Sequence, residues 1–112
     1  MNKENFFIQK LKDFTASYPK VIDLSLKRVL KLLKALGNPH LDLPPIIHVA
    51  GTNGKGSTIA FMANVLIENN KKVHIYTSPH LMSISERIIL SNKKVTLKEL
   101  IDALDFCVLK NN

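Results

Sequence analysis

Apolar residues recur at helical spacing in four stretches of this chain and form short unbroken runs in three others. Phe7, Leu11, Phe14 and Tyr18 lie on one face of a helix predicted over residues 4–18, and Pro19 ends it. Asp23 reads as the N-cap of a second helix. Its face carries Leu26, Val29, Leu30, Leu33 and Leu36, and Gly37 stands just past its end. Residues 38–45 form a proline-punctuated loop. Ile46-Ile47-His48-Val49-Ala50 is nearly all apolar, the pattern of a strand covered on both faces. A glycine-rich turn, residues 51–57, leads into a third helix predicted over residues 58–69. There Ile59, Met62, Ala63, Leu66 and Ile67 keep the helical period. Residues 73–77 read as a second strand. Strand, glycine loop, helix and strand in this order make a βαβ unit with parallel strands and a right-handed crossover. Residues 86–90 are a third strand, Ser91 to Lys94 a turn, and Thr96 with Glu99 a capping box for a last helix bearing Leu97, Leu100, Ile101, Leu104 and Val108. The predicted fold class is α/β: an incomplete parallel-sheet P-loop βαβ unit preceded by two helices. No repeat, low-complexity tract or Gly/Ser linker divides the 112 residues.

Composition narrows the classes of function. The net charge is +7, yet fourteen of the sixteen basic residues are lysines, with no run longer than two and no tryptophan among them. Nucleic-acid binders cluster Arg and Lys on one face and interleave stacking aromatics. The charge here reads as a solvated surface, with a weak field favouring anionic ligands, and no nucleic-acid partner is expected. One cysteine, Cys107, excludes an internal disulfide framework and a four-cysteine zinc site, and a packed thiol is its plain reading. No apolar run approaches a membrane span, and the first residues have no signal-peptide core. No membrane partner and a cytoplasmic setting are expected.

The chemistry concentrates in Gly51-Thr52-Asn53-Gly54-Lys55-Gly56-Ser57-Thr58. The glycines permit positive φ and close approach of backbone N–H groups to an anion. The unpaired N–H groups and the dipole of the following helix point into the same space. Lys55 supplies a point charge, and Ser57 or Thr58 a hydroxyl. The spacing departs from the standard Walker form: Val49 stands where its first glycine belongs, and Gly56 separates Lys55 from Ser57. His48 and His74 fall in strands and read as fillers, His80 reads as a loop residue, and no histidine pair has metal-ligand spacing.

These residues resemble the N-terminal part of folylpolyglutamate synthase/dihydrofolate synthase, within the wider Mur ligase group. The run HVAGTNGKGST at 48–58 carries the resemblance, including the extra glycine after lysine. The run Tyr76-Thr77-Ser78-Pro79-His80-Leu81, then Glu86-Arg87-Ile88, match two further blocks. Asp23 to Val29 matches a fourth, with Ser25 in place of the usual glycine. The resemblance implies ATP- and Mg2+-dependent ligation of L-glutamate to a folate or dihydropteroate carboxylate through an acyl phosphate, a step of folate biosynthesis and one-carbon metabolism. It implies that Thr52, Asn53, Gly54, Lys55, Gly56 and Ser57 cradle the ATP phosphates, with Lys55 also catalytic. It makes Ser78 a magnesium ligand and places Asp23, Leu24 and Arg28 near the pterin.

The family's enzymes are several times longer than 112 residues. The resemblance therefore implies that residues 1–112 are the N-terminal portion of an ATP-binding Mur-ligase-like domain, with the C-terminal domain absent. The expected function is that of a truncated ligase inactive alone. The alternatives are one piece of a split ligase with a separately encoded C-terminal part, or a stand-alone nucleotide-binding module.

Overall fold

The computed structural model describes residues 1–16, 25–78 and 83–111. The elements are helices α1 (Lys3–Ala16), α2 (Lys27–Ala35), α3 (Lys55–Glu68) and α4 (Leu97–Asn111), and strands β1 (Ile75–Tyr76), β2 (Ile88–Leu90) and β3 (Lys93–Lys94). Short 3-10 turns lie at Pro39–Asp42 and Ile84–Arg87. The chain is α/β, as its pattern predicts, and divides into two compact units, residues 1–45 with 97–112 and residues 46–96.

The first unit is helical. Asn2 Oδ1 accepts from Asn5 N at 2.8 Å, satisfying one of the amides that a helix start leaves open. α4 packs against both α1 and α2. Phe7 of α1 and Leu104 of α4 are its buried side chains, and Lys10 pairs with Asp105 between the same two helices. That pair is part-exposed and adds little to stability. α2 ends as its sequence predicts. Gly37 takes φ +86°, Asn38 N donates to Leu33 O at 2.8 Å and Gly37 N to Lys34 O at 3.1 Å, the two bonds of a Schellman cap. α2 begins at Lys27. The expected cap Asp23 and the face residue Tyr18 lie outside the described residues.

The second unit holds α3 and the sheet. α3 turns Ile59, Met62, Ala63 and Leu66 inward, and Ala63 is buried. It ends in a second Schellman cap, with Asn70 at φ +58°, Lys71 N on Leu66 O and Asn70 N on Ile67 O. Between α3 and the sheet lies a half-open apolar crevice of about 240 Å³, walled by Ala60, Ala63, Ile67, Ile75 and Ile89.

The sheet differs from the expected one. Its order is β1-β2-β3 and both pairings are antiparallel: Ile75 faces Ile89 and Tyr76 faces Ile88, then Ile89 faces Lys94 and Leu90 faces Lys93. Ser91 and Asn92 join β2 to β3 with φ +49° and +68°, the two positive values of a type I′ hairpin turn. Asn92 also stitches this turn to the segment after α3: its N donates to Val73 O and its Oδ1 accepts from Val73 N at 2.8 Å. The parallel pairing expected between residues 46–50 and 73–77 is absent among the described residues. Residues 46–50 form no strand, and within residues 73–77 the strand is confined to Ile75 and Tyr76. The physical reason is local. A two-residue turn closes an antiparallel pair at small entropic cost, whereas an apolar run becomes a strand only when a neighbour accepts its hydrogen bonds.

Candidate functional site

The glycine-rich turn is shorter than its sequence predicts. Gly54 takes φ +76° at the N-cap of α3, so Lys55, Gly56 and Ser57 form the first helical turn rather than the end of a loop. The first backbone bond of the helix is Thr58 N to Gly54 O at 3.0 Å. The amides of Gly54, Lys55, Gly56 and Ser57 accordingly donate to no other described residue. They converge at the positive end of the helix dipole, where an anion is favoured.

The side chains divide the work. Thr58 Oγ1 donates to Gly54 O at 2.8 Å, so this hydroxyl is committed to the backbone. Ser57 is exposed and hydrogen-bonded to no described residue, so the structure selects it as the free hydroxyl, a choice the sequence leaves open. Lys55 Nζ donates to Gly51 O, which folds the ammonium back onto its own loop. Thr52 and Asn53 are exposed in the bend between them. Around Gly56 nothing lies within 4 Å of where a Cβ would stand. No described part of the chain therefore requires glycine there, although glycine in a helix costs about 1 kcal/mol relative to alanine. A ligand approaching the helix start closely would require it.

Ser78 is exposed just after β1, with no hydrogen bond to a described residue. Arg28 is half-buried on α2 in the helical unit, and Asp23, Leu24 and His80 lie outside the described residues. No three His, Cys, Asp or Glu side chains converge as a metal site among the described residues. The available oxygen donors are hydroxyls, which suit a magnesium ion held mainly by phosphate oxygens and water. His74 is not merely a filler: its Nδ1 accepts from Ser91 N at 3.0 Å. The sequence assigns Arg87 no role beyond its place in the matched block Glu86-Arg87-Ile88. Its Nε is buried and has no hydrogen-bond partner among the described residues, and only the fold reveals this.

A helix start with four open amides, a lysine and a hydroxyl is an arrangement that suits an anion. The chain's relatives are specific. Dihydrofolate synthetase of Saccharomyces cerevisiae is 40% identical over 77 residues, 69% of this chain and 18% of the yeast protein. Folylpolyglutamate synthase of Lacticaseibacillus casei is 42% identical over 80 residues, 71% of this chain and 18% of that enzyme. A solved complex of folylpolyglutamate synthase with AMPPCP and folate superposes with a TM-score of 0.77 at 34% identity, covering 93% of this chain and 25% of the solved one. No protein-family model matches. In sequence and in fold, the chain matches part of the folylpolyglutamate/dihydrofolate synthases. It spans about a fifth of the length of these curated relatives. No described helix is long and apolar enough to cross a membrane.

Proposed function

We propose that this chain carries the ATP phosphate-binding segment of a folylpolyglutamate/dihydrofolate synthase-type ligase. The observation that carries the reading is the set of four open amides at Gly54–Ser57, beside a glycine whose side-chain space is empty. The AMPPCP and folate of a solved relative support both halves of the substrate assignment. The amides of Gly54, Lys55, Gly56 and Ser57 hold phosphate oxygens, with Thr52 and Asn53 shaping the turn. Lys55 exchanges the Gly51 carbonyl for the transferring phosphoryl group and neutralises charge that builds up there. The Ser57 and Ser78 hydroxyls would help to hold magnesium, which would lower the charge repelling a nucleophile. In the ligation, a folate or dihydropteroate carboxylate oxygen attacks the terminal phosphorus and ADP leaves. The amine of L-glutamate then attacks the acyl carbon and phosphate leaves. Asp23, Leu24 and Arg28 belong to the pterin side of this scheme, and the protein works in the cytoplasm on folate-type substrates. Residues 1–112 stand as the N-terminal portion of the ATP-binding domain, a part of the ligase that is inactive alone.

Titration calorimetry of residues 1–112 with ATP, ADP and pyrophosphate tests this. All three ligands should bind weakly and alike, because the contacts come from phosphates. Lys55→Ala should weaken each by about ten- to a hundredfold, the worth of one charge-assisted contact. Absence of binding, or binding indifferent to Lys55, overturns the reading.

A further inference from the structure

The guanidinium of Arg87 is unmet within the described residues. Its Nε is buried and bonds to none of them, and it enters no ion pair among them. The acidic residues of 46–96 are Glu68, at the far end of α3, and Glu86, its chain neighbour. A buried donor on a cation is costly when left unmet, and an anionic ligand relieves that cost.

The sheet places this cation. Ile75 faces Ile89, and both wall the crevice under α3. Two residues further on, Thr77 N donates to Arg87 O at 2.8 Å, so the pairing continues. Residues two apart in a strand share a face, which puts Arg87 on the side of the sheet that α3 covers. The direction of α3 follows from its ends. Its last turn leads through Lys71 to Val73, where Asn92 holds the strand. α3 therefore runs antiparallel to β1, and its first turn lies toward the end where Thr77 and Arg87 leave the sheet. The lengths agree. From Ala60, which walls the crevice, back to Lys55 is about 7.5 Å of helix, and from Ile75 on to Thr77 is about 7 Å of strand. Arg87 thus stands level with the open amides of Gly54–Ser57, at the same end of the sheet as Ser78.

We propose that Arg87 is a second cation of the phosphate site. It meets oxygens of the terminal phosphoryl group from the sheet side, while Lys55 meets them from the loop. A guanidinium offers a planar fork that pairs two phosphate oxygens at once, whereas an ammonium acts as a point charge. The buried Nε is one arm of that fork. Charge on the group in transfer is then neutralised from two directions. The proposal rests on the ligase reading above and adds a residue to its phosphate contacts.

Pyrophosphate calorimetry and nitrogen-15 NMR on residues 1–112 test the arginine. Arg87→Gln should weaken pyrophosphate binding by about ten- to a hundredfold, the worth of a charge-assisted contact. Arg87→Lys should recover part of the loss, because the charge returns without the fork. The melting temperature of Arg87→Gln should not fall, since the guanidinium bonds to no described residue. In the wild-type chain the Arg87 Nε–H signal should shift as pyrophosphate is added. A lower melting temperature with unchanged affinity would mark a structural arginine and overturn the proposal. So would an Nε–H signal indifferent to saturating pyrophosphate, whatever the variants do. Lys55→Ala separates the two readings. Affinity lost in Lys55→Ala and kept in Arg87→Gln refutes the arginine alone. Affinity lost in Arg87→Gln and kept in Lys55→Ala refutes the phosphate-loop reading alone.

Discussion

Replacing Gly56 by alanine should make the free chain more stable and a worse phosphate binder. Gly56 is the second residue of α3, and no atom lies within 4 Å of the position its Cβ would take. Its φ is not among the positive values in the chain, so alanine fits the backbone without strain. Alanine restricts the unfolded chain and favours helix, a gain of about 0.4–1 kcal/mol at a compatible site. A first-turn position realises the lower part of that range, about 0.5 kcal/mol. For a domain near this size that corresponds to a melting temperature higher by roughly 2–4 °C. The same methyl group enters the space where a phosphate oxygen must come within about 2.9 Å of an amide nitrogen. Losing one charge-assisted bond of this kind costs about tenfold or more in affinity. Circular-dichroism melts and pyrophosphate calorimetry on both proteins, at one protein concentration, read the two effects separately. A lower melting temperature would mean that Gly56 is needed for packing. A higher one with undiminished pyrophosphate affinity would mean that no ligand approaches this helix start. Either result refutes the reasoning.

Asn92→Ala removes the acceptor for Val73 N and a residue tolerant of φ +68°, and should destabilise residues 46–96 by about 1–2 kcal/mol in urea unfolding. Leu104→Ala opens a cavity in one of the few buried positions of the helical unit and should cost about 2–5 kcal/mol by the same measurement. The pKa of Lys98 is raised above 10.5, first by its hydrogen bond to Asp102 and then by that carboxylate's charge. A raised lysine stabilises fully below its unfolded value and loses the effect as pH climbs through the folded one. Helix content should therefore show no Lys98-dependent change at neutral pH. Above 10.5 wild type should lose helicity that Lys98→Met does not, which alkaline titration by circular dichroism detects.

Residues 48–58 alone point to a phosphate-binding turn, because three glycines, a lysine and three hydroxyls in a few positions serve few other purposes. The periodicities of α1, α3 and α4 and the glycine past α2 are equally legible, since caps and helical faces are local properties of the chain. What the tertiary structure decided is everything that needs a partner distant in sequence. It set the antiparallel order of the sheet through the Ser91-Asn92 turn and its stitch to Val73. It left Ile46–Ala50 without a ladder, because an apolar run records the burial it is suited to and not the neighbour that provides it. It also chose between two adjacent hydroxyls. Thr58 turns back to the Gly54 carbonyl and Ser57 stays open, a difference set by their places in the first turn of α3 and invisible in their shared chemistry.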